Sequence, residues 1–473
     1  MVVSCTKILG PVLFWRISMD FFETIAAIST PGGTGGIGVV RLSGDDAIPI
    51  ADKIFRSISG EKLSQIKGYT ARLGAVYDGD VRIDEVVALV FHGPRSYTGE
   101  DVVELMCHGG EISCHSVLRL ALDNGAVMAG RGEYTRRALL NGRISLTEAE
   151  AVCDVINAAS VRGELAAANL ANGALAEKTG EIGDRIMSVQ AHLSASIDFP
   201  EEDVDEIDPD ELLNELDGVK NSLSDLIKSY DTGKAVLRGV TAAIVGSPNV
   251  GKSTILNMMS GEERAIVTSI PGTTRDIVEQ RIMIGGTSLV IADTAGIREG
   301  GDVVEQIGIG LAIKKLGSTD IVIAVFDGSR PLSDDDRSIF AMTKGRKCIA
   351  IINKTDLPQQ IERQEIFNEY DIVCEICANS RDSFKTVNDA LEKLIGISDF
   401  DVNEPILANE RQRRCAFDAF DAVSEAVTAL KNNALDACYA LLAEALSAIF
   451  RLNGRDVSES VLDEVFSNFC VGK

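Results

Sequence analysis

The feature that most constrains the fold of this chain is a glycine-rich segment, residues 246–253, which reads Gly-Ser-Pro-Asn-Val-Gly-Lys-Ser. It directly follows an apolar run, residues 240–245, that has the composition of a buried strand. In a strand, loop and helix of this kind, backbone N–H groups of the loop and of the helix N-terminus surround phosphate groups. Lys252 would reach the outer phosphates, and Ser253 would hold Mg2+. The sequence therefore predicts a nucleotide-binding site.

Two further motifs lie at the ends of apolar runs farther along the chain. Asp293-Thr294-Ala295-Gly296 follows residues 288–292, and Asn353-Lys354-Thr355-Asp356 follows residues 348–352. The first motif is expected to bring an acid to the Mg2+ shell and a glycine to the γ-phosphate. In the second, the Asp356 carboxylate can accept two hydrogen bonds from guanine, whereas adenine offers no such pair of donors. The order of the three motifs predicts GTP as the nucleotide.

A fourth segment lies between the phosphate loop and the second motif. It reads Thr-Ser-Ile-Pro-Gly-Thr-Thr-Arg-Asp over residues 268–276, and Thr274 is the better candidate there to complete the Mg2+ coordination. Together these motifs give the predicted GTP-binding residues: Asn249, Val250, Gly251, Lys252, Ser253, Thr254, Thr268, Ser269, Ile270, Pro271, Gly272, Thr273, Thr274, Asp293, Thr294, Ala295, Gly296, Asn353, Lys354, Thr355 and Asp356.

Parts of this predicted site depart from the common pattern. The segment that usually reads Ser-Ala-Lys beside guanine is here residues 377–379, Cys-Ala-Asn, so its contribution to base binding is left open. Ile297 stands where many regulatory GTPases have a glutamine that orients the attacking water, so hydrolysis must be organised differently. Arg275 and Arg298 are candidates for an internal arginine finger, although a solvated arginine is the more common role.

Length and composition bound the class of protein. A chain of 473 residues exceeds the usual size of one hydrophobic core and predicts several domains. The formal net charge of -25 disfavours nonspecific nucleic-acid binding, so any such contact needs a local basic surface. No stretch approaches the roughly 20 apolar residues that span a bilayer, so no membrane segment is predicted. Ten cysteines without a regular framework indicate reduced thiols in the cytoplasm.

The pattern of apolar residues changes along the chain and predicts a multidomain fold. Residues 20–140 alternate short β-type runs with glycine turns, as in an α+β domain. Residues 141–235 and 400–473 are helical in pattern and would form the two parts of an all-α domain. Residues 236–399 alternate strands with helices, as in an α/β P-loop domain with a doubly wound parallel sheet. Because helices flank this domain on both sides, it is predicted to be an insertion.

Two shorter segments have interpretations of their own. Residues 1–19 precede the first domain and are compatible with a poor signal peptide. Alternatively, Met19 is the true start, and residues 1–18 are a spurious or dispensable extension. The acid-rich segment 200–216 is interpreted as a solvated connection that enters a helix, with Asp208 as N-cap and Pro209 at the first helical position.

The chain from residue 20 to residue 473 resembles the tRNA modification GTPase MnmE (TrmE) family. The resemblance depends on motifs in all three regions and at the C-terminus, where residues 470–473 read Cys-Val-Gly-Lys. The matching segments are Pro248-Asn249, residues 265–268, residues 272–276, residues 305–309, residues 30–32, residues 35–38, residues 97–101, residues 132–135 and residues 469–473. The terminal Cys-x-Gly-Lys distinguishes this family from other GTPases with the same phosphate loop.

The resemblance implies a K+-dependent GTPase that forms a homodimer through its G domains. In the family, K+ occupies the place of an arginine finger, which would account for Ile297. The implied K+ ligands are Asn249, Thr268, Ile270 and Thr273, and the implied Mg2+ ligands are Ser253 and Thr274. Glu305 is implied to position the attacking water through a bridging water.

The resemblance also implies that the N-terminal domain binds a one-carbon donor, 5-formyltetrahydrofolate or 5,10-methylenetetrahydrofolate. The matching positions are Arg41, Glu104, Arg143 and Lys473. A carboxylate suits the amino-pyrimidine donors of the pterin, and cations suit its glutamate tail. Cys470 is implied to take part in the modification, as nucleophile, acid or positioning group.

The family works with MnmG, a partner that contains FAD, on the wobble uridine of certain tRNAs. The resemblance therefore implies a cytoplasmic enzyme that installs a carboxymethylaminomethyl or aminomethyl group at carbon 5 of that base. The rival hypothesis is a ribosome-assembly GTPase without one-carbon chemistry. Such proteins typically append a basic RNA-binding module, whereas the flanking helices here are acidic or neutral.

Overall fold

The computed structural model describes residues 23–198, 209–262, 279–292, 319–380 and 382–473. The chain divides into two compact units, one reaching Ala149 and including Gly454–Lys473, the other comprising Glu150–Asn453. By packing, the last 20 residues thus belong with the N-terminal sheet. The predicted extension 1–19 lies outside the described residues. The domain bounds derived from the sequence stay a prediction.

The first unit is built on a mixed sheet. Its strands are β1 (Ile25–Ile28), β2 (Ile37–Ser43), β3 (Phe55–Ser57), β4 (Thr70–Asp78), β5 (Val81–Phe91), β6 (Val102–His108) and β7 (Val127–Met128). They lie in the order β3-β4-β5-β6-β2-β1-β7, and only β1 and β7 pair in parallel. The helices are α1 (Ala47–Ile54), α2 (Glu111–Asp123) and α3 (Glu133–Leu140). Apolar residues of α1 and α2 share one core with β2, β5 and β6, which confirms the α+β prediction.

Long helices follow and include the alanine-rich segment. They are α4 (Leu146–Asn157), α5 (Val161–Ala171), α6 (Ala174–Asp198) and α7 (Pro209–Arg238). Helix α7 begins at Pro209 with Asp210 and Glu211 in its first turn, as the sequence predicts. A proline is tolerated at this position because its missing N–H would have no intrahelical partner, and acids there complement the helix dipole.

The α/β part interrupts this helical series. Its elements are β8 (Val240–Val245), α8 (Lys252–Glu262), β9 (Glu279–Ile284), β10 (Thr287–Ala292), β11 (Ile321–Asp327), α9 (Asp334–Thr343), β12 (Cys348–Asn353), α10 (Arg363–Glu369), β13 (Val373–Glu375) and α11 (Asp382–Ile395). The strand order is β13-β12-β11-β8-β10-β9. Strands β8 and β10 to β13 pair in parallel, so their carboxyl ends meet at one edge.

Strand β9 is the one departure from the predicted parallel sheet among the described residues. It pairs antiparallel with β10 across a two-residue turn, Gly285-Gly286. Both glycines have positive φ, 54° and 74°, which is the conformation that a tight hairpin requires. A parallel pair would need a long crossover, so this short connection forces the antiparallel arrangement.

The chain then returns to helix. The elements are α12 (Glu410–Lys431), α13 (Leu435–Asn453) and α14 (Glu459–Ser467). Apolar faces of α6, α7, α12 and α13 pack with one face of the α/β sheet in a continuous core within Glu150–Asn453. In the part of the chain that the structure describes, no helix has the length and apolarity to cross a bilayer.

Candidate functional site

The phosphate loop connects the buried strand β8 to helix α8. Asn249 and Gly251 both adopt positive φ, 63° and 101°, so the loop turns back on itself before the helix starts. A Cβ on Gly251 would overlap Nδ2 of Asn353, and one on Gly246 would lie 2.6 Å from the carbonyl oxygen of Val325. The glycines are required because neighbouring strand ends approach the loop this closely.

Lys252 is the first residue of α8, and its ammonium group lies over the loop. Nζ donates to the carbonyl oxygens of Gly246 at 2.6 Å and Ser247 at 2.9 Å. Burial lowers the pKa of Lys252, because the charged form is partly removed from water. Ser253 is exposed in the same first turn. A cation and free N–H groups at a helix N-terminus give this turn the chemistry of an anion site.

The Asn353-Lys354 motif follows β12 and lies directly against the loop. Asn353 Nδ2 donates to the carbonyl oxygen of Val250 at 2.9 Å, while its Oδ1 accepts from the N–H of Ala378 at 3.0 Å. Lys354 Nζ donates to the carbonyl oxygen of Asn249 at 2.9 Å. Asp356 is exposed. The guanine motif and the phosphate loop are thus joined by side-chain bonds, and the divergent Cys377–Asn379 segment contributes through the backbone of Ala378.

Several predicted residues of this site lie outside the described residues. They are Thr268, Ser269, Ile270, Pro271, Gly272, Thr273, Thr274, Asp293, Thr294, Ala295, Gly296 and Glu305, with Arg275, Ile297 and Arg298. Those that are described, Asn249 to Thr254 and Asn353 to Asp356, gather at the carboxyl edge of the parallel strands.

The donor types present fit the two predicted ions. The hydroxyl of Ser253 lies at the N-terminus of α8, and hydroxyl and carboxylate oxygens are ligands that Mg2+ accepts. Asn249 is exposed and offers an amide oxygen, a neutral donor of the kind that K+ accepts.

A second group of predicted residues meets in the N-terminal unit. Arg41 on β2 lies opposite Glu104 on β6 in the strand register, and both Nε and Nη2 of Arg41 are 2.9 Å from Oε1 of Glu104. The guanidinium carbon also lies 5.9 Å and 5.5 Å from the ring centroids of Tyr97 and Tyr134. A cation, a carboxylate and two aromatic faces are thus concentrated at one point of the sheet.

Sequence reasoning gave no role to the two tyrosines, although both lie in segments that carry the family resemblance. Tyr134 OH donates to the carbonyl oxygen of Arg41 at 2.7 Å, and Tyr97 OH is 2.9 Å from Oγ1 of Thr135. Burial raises the pKa of both phenols, so both remain protonated at neutral pH. Each ring is therefore held as a neutral surface beside the Arg41 cation.

The C-terminal tail reaches this same point of the N-terminal unit. The carbonyl oxygen of Gly472 is 3.4 Å from Nη1 of Arg41, and that of Cys470 accepts from the N–H of Gly132 at 3.3 Å. Val471 forms an isolated antiparallel bridge with Arg131. The tail therefore lies beside Arg41. The Cys470 side chain is exposed.

Two other predicted residues lie in the same unit. Arg143 is exposed, and its side chain packs against Gly99, where a Cβ would come within 3.3 Å of Cγ of Arg143. Lys473 is partly buried at the end of the tail. The folate roles of Arg41, Glu104, Arg143 and Lys473 stay predictions.

The sheet order, the phosphate loop and the Asn-Lys-x-Asp motif define a P-loop GTPase. Family models match most of the chain: residues 146–470 match the MnmE helical domain, and residues 24–143 match the N-terminus of the GTP-binding protein TrmE. The chain belongs to the tRNA modification GTPase MnmE family, and its enzyme class is GTP hydrolase.

Relatives match over nearly their full length. The tRNA modification GTPase MnmE of Clostridioides difficile (strain 630) is 39% identical over 455 residues, which cover 95% of this chain and 99% of that protein. The same-named protein of Caldicellulosiruptor saccharolyticus is 39% identical over 458 residues, covering 96% and 100%. The similarity therefore extends over nearly the whole of each protein.

Proposed function

We propose that this chain is a K+-activated GTPase of the cytoplasm that modifies carbon 5 of the wobble uridine in certain tRNAs. It would act as a homodimer together with an MnmG-type partner, whose FAD would supply the redox chemistry. The observation that carries the proposal is the C-terminal tail, which lies beside Arg41 and Glu104 in a chain that also contains the guanine-nucleotide loop. A GTPase that served only as a switch would have no need of this second polar site.

In the proposed GTP site, this chain would bind the phosphates through Lys252 and the loop N–H groups. Ser253 and Thr274 would hold Mg2+, and Asn249, Thr268, Ile270 and Thr273 would hold K+. When bound, K+ would supply the positive charge that other GTPases take from an arginine. Glu305 would orient the attacking water, which accounts for the absence of a glutamine at Ile297.

In the proposed one-carbon site, Glu104 would accept hydrogen bonds from the amino-pyrimidine ring of a tetrahydrofolate. Arg41, Arg143 and Lys473 would face its anionic tail. Tyr97, which is 37% exposed, supplies an aromatic surface at the same point, whereas Tyr134 is fully buried and supports Arg41 from within the fold. Cys470 is exposed where the tail meets the sheet, so its thiol is accessible to a reacting group. We propose 5-formyltetrahydrofolate or 5,10-methylenetetrahydrofolate as the donor.

The biological function is tested by mass spectrometry of wobble nucleosides from cells that lack this chain. We expect the carboxymethylaminomethyl and aminomethyl forms of uridine to disappear, and a plasmid copy of the gene to restore them. An unchanged nucleoside profile together with a defect in ribosomal subunits would instead support the rival, a ribosome-assembly GTPase.

The K+ assignment predicts a salt-specific rate. GTP turnover is expected to be at least about tenfold faster in KCl than in NaCl of equal ionic strength. Asn249→Ala should abolish the difference because it removes the amide oxygen that the proposal assigns to K+. Equal wild-type rates in the two salts would refute the assignment. Asn257→Ala, an exposed amide on α8, serves as the control and should retain the wild-type ratio.

The one-carbon site predicts binding of 5-formyltetrahydrofolate, measured by titration calorimetry. Arg41→Ala is expected to weaken binding by about tenfold or more, because it removes a cation and leaves Glu104 without its partner. Arg56→Ala removes an exposed arginine whose partner, Asp80, is also exposed, and should leave binding unchanged. The absence of any heat with the wild-type chain at high ligand concentration would remove the main support for one-carbon chemistry.

A further inference from the structure

The ammonium group of Lys354 lies between two oxygens that belong to different parts of the GTPase fold. Nζ is 2.6 Å from Oδ2 of Asp327 and 2.9 Å from the carbonyl oxygen of Asn249. Asp327 is the last residue of β11, and Asn249 lies in the phosphate loop. Lys354 therefore links the end of one parallel strand to the loop that follows another.

The carboxylate of Asp327 is held in one orientation by its surroundings. It is buried, with 7% of its surface exposed, and its Oδ1 accepts from both the N–H and the hydroxyl of Ser329 at 3.0 and 2.6 Å. Although burial disfavours the charged form, the hydrogen bonds from Lys354 and Ser329 hold the pKa of this carboxyl below its usual range. Asp327 is thus ionised at neutral pH and fixed in direction, which in turn fixes the position of Nζ of Lys354.

Asn249 is the residue whose backbone Lys354 contacts. Its φ of 63° is in the left-handed region, which asparagine enters more readily than other non-glycine residues and which gives the loop its turn at this point. Two side-chain bonds reach the backbone at this point: Lys354 to the carbonyl oxygen of Asn249, and Asn353 to that of Val250. The backbone of Asn249 sets the direction of its Cα–Cβ bond, and therefore the region that the amide oxygen of this exposed side chain can reach.

We propose that Asp327 is a positioning residue for the monovalent-cation site, acting through Lys354 on the backbone of Asn249. Because Lys354 belongs to the guanine motif and contacts the backbone of Asn249, a shift of either group moves the other. Binding of guanine and affinity for K+ are therefore expected to be coupled. The inference depends on the proposed function, because the role of Asn249 as a K+ ligand is part of that proposal.

The test uses Asp327→Asn in the full-length chain and measures binding of the non-hydrolysable analogue guanosine 5′-(β,γ-imido)triphosphate while KCl replaces NaCl at constant ionic strength. The KCl concentration at half-saturation is expected to rise about fivefold or more, because Lys354 loses its charged partner. The matched control is Asp334→Asn, a fully exposed carboxylate at the start of α9, which should shift the midpoint less than twofold.

Two further variants make the result specific to the route through Asn249. Ser329→Ala removes one donor to Asp327 without touching Lys354, and should shift the KCl midpoint in the same direction by a smaller factor. In the Asn249→Ala background, Asp327→Asn should cause no further change in the ratio of analogue affinities between KCl and NaCl. Each ratio compares two salts on the same variant, so the comparison between variants does not require Asn249→Ala or Asp327→Asn to have wild-type stability.

The possible outcomes separate this inference from the function on which it depends. If the wild-type chain responds to KCl but Asp327→Asn weakens analogue binding equally in both salts, Asp327 acts only on the base and the inference is wrong while the proposed function stands. If wild-type binding of the analogue is the same in KCl and NaCl, the inference is wrong, whereas the K+ assignment itself fails only if wild-type GTP turnover is also equal in the two salts.

Discussion

Replacing Gly251 by alanine is expected to reduce GTP affinity by about 100-fold or more, which corresponds to roughly 2.8 kcal/mol. The φ of Gly251 is 101°, outside the range that an alanine adopts without strain. Its new Cβ would overlap Nδ2 of Asn353, the group that joins the guanine motif to the carbonyl oxygen of Val250. One methyl group would thus disturb the phosphate loop and the base motif together. Equilibrium titration with a fluorescent GTP analogue measures the effect.

Gly345 provides the control for this variant. It also has a left-handed φ, 76°, but no atom lies within 4 Å of the position that a Cβ would take. Gly345→Ala therefore introduces comparable backbone strain, of about 1 kcal/mol, away from the loop. We expect its GTP affinity to stay within twofold of wild type. Near-normal affinity in Gly251→Ala would contradict the close approach of Asn353 to the phosphate loop.

The second large effect concerns the C-terminal tail. Gly472→Ala is expected to lower wobble-uridine modification by about tenfold or more while GTP turnover stays within twofold of wild type. The φ of Gly472 is 95°, and a Cβ would collide with the carbonyl oxygen of Ile28 and come within 2.9 Å of Cα of Ser29. The tail would be displaced from Arg41, and Cys470 would move with it. Nucleoside mass spectrometry of complemented cells gives the first quantity, and phosphate release by the purified chain gives the second.

Gly60 is the matched control in the same unit. Its φ is 76°, and a Cβ would meet no atom within 4 Å. Gly60→Ala should therefore leave modification unchanged. If Gly472→Ala supports wild-type modification, the seating of the tail beside Arg41 is not needed for the chemistry. A parallel loss of GTP turnover would instead indicate that the two activities cannot be separated through the tail.

Local sequence was sufficient for much of the fold. Strand β8 occupies the residues expected from its apolar run, Val240–Val245, because the composition of a buried strand is itself apolar. Helix α7 begins at Pro209, as predicted, because the residues that favour a helix start are adjacent in the sequence. Strand β9 was not predicted. Its sequence, Glu-Gln-Arg-Ile-Met-Ile, is half polar because it lies at the edge of the sheet, where pairing with β10 decides the conformation.

The candidate sites divide in the same way. The residues of the phosphate loop and of the Asn-Lys-x-Asp motif could be recognised because each motif is contiguous and its spacing follows the shape of a nucleotide. Asp327 was missed because it belongs to no motif. Its position at the carboxyl end of a parallel strand was the available signal, but only the contact with Lys354 gives it a role. Tyr97 and Tyr134 lie in conspicuous segments, yet nothing local indicates that both rings face Arg41.

The sequence by itself was sufficient to predict GTP as the nucleotide and to identify the family. The glycines, the lysine and the guanine-specific aspartate that bind GTP each lie in a short contiguous motif, and such a motif can be recognised without the rest of the fold. Only the tertiary structure decided which distant groups meet. Arg41 and Glu104 are 63 positions apart and pair through the register of β2 and β6. Gly472 comes to Arg41 across 431 positions because the tail packs on the N-terminal sheet. Strand register and tail docking depend on the sum of many contacts, so no single segment encodes them.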